Sequence, residues 1–183
     1  MEKNKIYIGI SGKMGTGKST LVKGIRDILT SFKIERISLA EPVKEMQDRV
    51  YEMMGLNRST EKNRSLLIAL GMMGREEGHK DFWLDKAVEK FEKSNADIVI
   101  CDDVRFENEA DWFSKNGVLI RLYGEQRGDN VTPEHKNNIS ETALDSYKFK
   151  NYLSNKRGIE DTLVRALEIL TEELGVIETL RGA

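Results

Sequence analysis

A chain of 183 residues is long enough to close one domain around one core. Hydrophobic residues make up 39% and charged residues 33%, and 29 basic against 31 acidic side chains leave a formal net charge of -2, so the chain reads as globular, with no basic excess for a nucleic acid polymer. The N-terminal apolar run is too short for a signal or a membrane span, and a single cysteine, Cys101, excludes an intrachain disulfide and fits a reducing, cytoplasmic setting.

Ile6 to Ile10 is a short apolar run that predicts a buried strand. Immediately after it, Gly12-Lys13-Met14-Gly15-Thr16-Gly17-Lys18-Ser19 matches G-x-x-x-x-G-K-[ST], a pattern expected by chance in on the order of 1% of chains this long. Ser19 to Phe32 then carries Leu21, Val22, Ile25, Ile28 and Leu29 at helical spacing. The pattern therefore lies between a strand and a helix, where a phosphate-binding loop must lie. Glycines let its N–H groups turn inward on an anion, and the helix N-terminus adds a positive field. In this reading Gly12, Lys13, Gly15, Thr16, Gly17, Lys18, Ser19 and Thr20 hold ATP. Lys18 reaches the β- and γ-phosphates as a catalytic group, and Ser19 offers its hydroxyl to Mg2+.

Lys33 to Leu39 predicts a second strand. Glu41-Pro42 opens a helix with Pro in the first turn, and Glu41 and Lys44 lie at a strand end, where ligands bind in open α/β sheets. An acid at a helix start is also favourable without any ligand. Two more helices are expected over Thr60 to Met73 and Asp81 to Lys93. Between and within them, Arg75 and the Phe82-Trp83 pair suit a phosphate grip with a ring stacked on a base, or a surface arginine above a core staple.

Asp97 to Cys101 (DIVIC) predicts the central strand, with Asp102-Asp103-Val104-Arg105 just beyond it. One of the two aspartates is placed to hold Mg2+ through water; Asp103 is the choice made here, as metal ligand and catalytic residue. Arg105 suits a bidentate hold on an acceptor phosphate. Asn108 to Lys115 predicts a helix and Gly117 to Tyr123 a strand. Gly124 to Glu141 is long and polar, as lids often are, and its Arg127 suits delivery to the transferring phosphoryl group on closure. Phe149 to Leu153 predicts a last short strand and Ile159 to Leu174 an amphipathic helix. Strands alternating with helices imply a three-layer α/β/α P-loop domain, read as one domain, with a mainly parallel sheet of about five strands and a lid.

The phosphate loop, LIALGMMGREEGHKDFWLDK, DDVRFENEADWF and NISETALD, in this order, resemble the bacteriophage-type deoxynucleoside monophosphate kinases over Ile6 to about Asp145. That family commonly has Pro where Glu107 stands here, and His where Asn138 stands. The resemblance implies transfer of the ATP γ-phosphoryl group to a deoxynucleoside 5′-monophosphate, with Arg75 and Arg105 on the acceptor, Ser140 and Glu141 matching a further motif, and a tendency to form homodimers. The alternatives are a related small-molecule kinase, of the phosphomevalonate or dephospho-coenzyme A kinase kind, and a nucleotide-binding switch of low turnover.

Overall fold

The structure is a computed structural model that describes residues 5–57, 63–126 and 139–175. These fall into two compact units, one within Met1–Arg36 and Asn95–Ala183, the other Ile37–Ser94.

The first unit is a five-stranded sheet. Its strands are β1 (Ile6–Ser11), β2 (Ile34–Arg36), β3 (Ile98–Val104), β4 (Val118–Tyr123) and β5 (Asn151–Ser154), in the order β2-β3-β1-β4-β5. Every pairing is parallel. The middle strand is therefore β1, and the DIVIC strand expected at the centre is its neighbour. Strand β3 also runs further than its apolar letters suggest: Val104 pairs with Ser11 after a register shift opposite Gly9–Ser11, so Asp102 and Asp103 lie in the strand and not in a loop beyond it.

Helix α1 (Lys18–Ile28) and the last helix, α7 (Ile159–Leu174), pack together on one face. They bury Leu21, Ile25, Ala166 and Leu170 against Ile8, Ile10, Ile98, Ile100 and Ile120. Helix α5 (Glu107–Asn116) packs on β1 and β4. Alternation along β1 sends Ile8 and Ile10 to the first face and Tyr7 towards Trp112, with ring centroids 5.1 Å apart, on the second. Both faces are covered, so Ile98, Val99 and Ile100 are all fully buried. Each such side chain contributes about 1.5–3 kcal/mol by leaving water. A short helix, α6 (Ile139–Thr142), precedes β5.

The second unit is helical: α2 (Glu41–Met53), α3 (Arg64–Met73), a π-helical turn Gly74–Gly78, and α4 (Phe82–Lys93). Its core joins Val43, Leu70 and Trp83, with Met46, Leu66, Leu67 and Phe82 around them. Asn63 caps α3 by accepting from the Leu66 N–H at 3.1 Å. Among the described residues no helix is long and apolar enough to cross a membrane.

Candidate active site

The turn between β1 and α1 has the shape its sequence demands. Gly15 and Gly17 adopt φ of 80° and 92°, which glycine takes without strain. At Gly12 a Cβ would lie 2.6 Å from the Leu122 carbonyl oxygen, so the loop passes too close to β4 for any side chain. The Thr16 hydroxyl donates to the Lys13 carbonyl at 2.8 Å and locks the turn internally. Lys18 folds back over the loop, its Nζ donating to the carbonyls of Gly12 (2.6 Å) and Lys13 (3.0 Å). Burial and the neighbouring Arg105 lower its pKa to about 8, against the pull of Glu141 and Asp102.

Two strand ends bring charge to this loop. From β3, Asp102 is 3% exposed. It accepts from the Ser19 hydroxyl at 3.3 Å, and Arg36 at the end of β2 holds it bidentately at 2.8 and 2.9 Å. The Asp103 carboxylate instead accepts from the Cys101 thiol at 3.1 Å. The geometry thus joins Ser19 to Asp102, the neighbour of the aspartate favoured from sequence: successive strand residues point to opposite faces, and Asp102 has the parity that faces α1. A hydroxyl and a carboxylate are hard oxygen donors that suit Mg2+. Among the described residues no three His, Cys, Asp or Glu side chains gather as a metal cage, and Mg2+ is commonly held by one or two protein oxygens together with a phosphate chain.

Around the phosphate loop lies a small cleft lined by Ser11, Gly12, Arg105, Arg121, Ser140 and Glu141, among others. Arg105 pairs with Glu141 and reaches the Ser140 carbonyl at 3.4 Å. The second Glu141 oxygen accepts from the Met14 N–H of the phosphate loop at 2.8 Å. Arg121, on β4, donates to the Ser11 hydroxyl at 2.8 Å and to Asp145 at 3.3 Å, and its guanidinium lies 5.3 Å from the centre of the Phe149 ring. Asp145 also holds Lys13 at 2.9 Å. Lys18, Arg105 and Arg121 therefore meet at one end of the sheet, where internal carboxylates balance them. Such a place binds phosphate oxygens through guanidinium forks and a point charge.

The second unit places its expected residues otherwise. Trp83 is 5% exposed and its indole N–H donates to the Gly71 carbonyl at 3.0 Å. Of the two roles the sequence allows it, a ring stacked on a base or a core staple, its position is that of the staple, packed with Val43 and Leu70 in the unit's own core and not open to a substrate. Arg75, in the π turn, donates to the same carbonyl at 2.9 Å. Glu41 lies 3.8 Å from Lys90 in the first turn of α2, and Lys44 reaches the Ser38 hydroxyl at 3.4 Å. Of the expected lid, Arg127 and residues 127–138 lie outside the described residues. Arg36, Arg121 and Asp145 were not singled out from sequence. The available signal was a charge inside an apolar strand, as in Val118-Leu119-Ile120-Arg121-Leu122.

No curated protein sequence matches the chain. Solved structures share its fold. TT1252 from Thermus thermophilus superposes with a TM-score of 0.58 at 19% identity, covering 94% of this chain and 99% of that one. Shikimate kinase from Bacteroides thetaiotaomicron gives 0.51 at 15%, covering 90% and 98%. A gluconokinase from Sinorhizobium meliloti 1021 gives 0.50 at 12%, covering 93% and 94%. The family model for phosphomevalonate kinase matches residues 10–118. That span takes in the phosphate loop, Asp102 and Arg105 and exceeds half of the sequence; with the parallel sheet and the gathered cations, it makes this chain a P-loop kinase and a member of the phosphomevalonate kinase family.

Proposed function

We propose that the protein transfers the γ-phosphoryl group of ATP to a phosphate monoester, and that this acceptor is a deoxynucleoside 5′-monophosphate. The observation that carries the acceptor class is the pair of guanidinium groups, Arg105 and Arg121, in the cleft beside the phosphate loop. A hydroxyl acceptor needs a carboxylate to take its proton. A phosphate monoester has its second pKa near 6 and is an ionised nucleophile at neutral pH. The acceptor site then needs cations to overcome repulsion between two phosphates; Arg105 and Arg121 supply them here, and the one carboxylate in the cleft lining, Glu141, is paired with Arg105. The nucleoside part of the proposal rests on the resemblance carried by the Leu-Gly…Arg…Phe-Trp-Leu and Asp-Val-Arg-Phe blocks.

In this mechanism the phosphate-loop N–H groups and Lys18 orient the β- and γ-phosphates and neutralise charge on the moving group. Arg105 and Arg121 align the acceptor oxygen for in-line attack. Ser19 and Asp102 would hold Mg2+, which would supply charge neutralisation to the nucleotide phosphates. Glu141 must release the Met14 N–H and Arg105 as substrates enter.

A second reading, a kinase for phosphomevalonate, is favoured by the family match over residues 10–118. Both acceptors are phosphate monoesters, so the cleft chemistry serves either. An ADP-release assay decides: the four deoxynucleoside monophosphates, their ribose counterparts, phosphomevalonate and dephospho-coenzyme A, with shikimate and gluconate as hydroxyl acceptors. Turnover confined to deoxynucleoside monophosphates is the expected result. Turnover with phosphomevalonate alone establishes the second reading, and slow ADP release independent of every acceptor rejects both in favour of a switch.

A further inference from the structure

Asn155 follows β5 directly, and its side chain joins the phosphate loop to the segment that leaves β4. Its Nδ2 donates to the Thr16 carbonyl at 2.9 Å and to the Glu125 carbonyl at 2.7 Å. Its Oδ1 accepts from the Glu125 N–H at 2.8 Å. Both amide hydrogens and the carbonyl are thus committed to backbone groups. The Asn155 N–H donates to the Tyr123 carbonyl at 3.0 Å, extending the β4–β5 pairing by one step and fixing the side chain's origin. Gly124 makes room for the arrangement: its φ is 127°, and a Cβ there would lie 2.1 Å from Asn155 Oδ1.

The bond to Thr16 has a consequence for anion binding. A trans peptide is planar, with its C=O and N–H pointing in opposite directions. Holding the Thr16 carbonyl on Asn155 therefore turns the Gly17 N–H the other way. Gly17 stands at the N-terminus of α1, where N–H groups have no partner within the helix and serve anions. We propose that Asn155 is a positioning residue for the nucleotide phosphates. It never touches them; it sets the Thr16–Gly17 peptide in the orientation they need, and ties that peptide to the chain entering the polar segment at Glu125. The proposal rests on reading residues 12–19 as a phosphate loop.

The test uses equilibrium binding without acceptor, so that it does not depend on which acceptor is correct. Dissociation constants for ATP and for inorganic tripolyphosphate are measured by calorimetry on the full chain, for wild type, Asn155→Ala, Asn155→Ser and Lys18→Ala, with circular dichroism and melting curves as folding controls. Asn155→Ala is expected to weaken ATP and tripolyphosphate by the same factor, about tenfold, the cost of one misaligned hydrogen bond. Asn155→Ser, which keeps a small polar group, serves if the alanine variant does not fold and is expected to lose affinity in the same parallel way. A purely structural role would lower the melting temperature and leave both constants of the folded protein unchanged; that result overturns the proposal. So does a loss for ATP without one for tripolyphosphate, which would move Asn155 to the nucleoside. Wild-type ATP affinity in Lys18→Ala would instead remove the phosphate-loop reading itself.

Discussion

Lys18 is the residue on which the site's pH response turns. Burial and Arg105 lower its pKa from 10.5 to about 8 in the ligand-free protein, while phosphates bound beside it favour the charged form. Below pH 8 the free protein carries the ammonium that ATP needs; above it, binding must take up a proton. ATP is therefore expected to bind about tenfold more weakly at pH 9 than at pH 7. Calorimetry in buffers of different ionisation enthalpy checks the proton uptake. Lys18→Arg, which keeps its charge throughout, should flatten the dependence; a flat wild-type profile would refute the assignment. The stability linkage has a definite sign. The unfolded chain binds more protons between about pH 8 and 10.5, so the cost of burying charged Lys18 is fully present below 8 and is relieved as pH rises through that window. A second expectation separates the two aspartates. Asp102 touches the Ser19 hydroxyl and Asp103 does not, so Asp102→Asn should lower kcat about a hundredfold or more and raise the Mg2+ concentration needed. Asp103→Asn should do neither, and the reverse outcome in a Mg2+ titration would return the metal role to Asp103. Sequence displayed Lys18 and Ser19 because a phosphate loop is local, with fixed spacing between a strand and a helix. It left the Asp102–Asp103 choice open because strand parity depends on where β3 ends. It did not display Arg36, whose partner lies 66 positions away across a strand order that spacing does not encode.

At the scale of elements, α5 shows how a motif can serve backbone placement. Glu109, 7% exposed, reaches back to accept from the N–H groups of Arg105 (2.7 Å) and Phe106 (3.0 Å). Those are donors just ahead of the helix, which its own ladder leaves without partners, and the carboxylate also suits the positive end of the dipole. The second acid of Phe106-Glu107-Asn108-Glu109 thus fixes the peptide that carries Arg105 into the cleft. Glu109→Ala should cost about 1.5–3 kcal/mol, the range for hydrogen bonds to a charged group, with Glu109→Gln costing less; urea denaturation measures both. The acceptor KM should rise in the alanine variant while the ATP KM holds, because the loosened peptide belongs to Arg105. Equal loss for both substrates would make Glu109 a stabiliser only. The extents of the elements were legible where packing is amphipathic and regular, as in α7, which spans Ile159–Leu174 as expected. They were less legible for β2, expected over Lys33 to Leu39 and found as Ile34–Arg36, a three-residue edge strand whose neighbours on one side are absent from the ladder. The π turn at Gly74–Gly78 was not anticipated either, since its wider hydrogen-bonding has no residue signature of its own.

For the molecule as a whole, a net charge of -2 conceals a local excess of cations. Lys18, Arg105 and Arg121 converge from α1, the position just after β3, and β4, with Glu141 and Asp145 as internal counter-charges. Composition reports the sum, and only the sheet order brings the three together. A site held in balance by its own carboxylates gains when a phosphate chain replaces them, and a ligand that binds only the folded state stabilises it by mass action. At one hundred times its dissociation constant, ATP should add about 2.7 kcal/mol, which for a chain of this size corresponds to a rise of roughly 5–11 °C in melting temperature. The two tryptophans make the measurement specific, since Trp112 belongs to the unit with the phosphate loop and Trp83 to the helical unit. In Trp83→Phe, Trp112 emission follows the first unit alone. Its midpoint should rise with ATP and with tripolyphosphate, and Lys18→Ala should abolish the rise in the same background. A midpoint that ignores both ligands at saturating concentration would mean that the cations gathered at the sheet's end do not receive a phosphate chain.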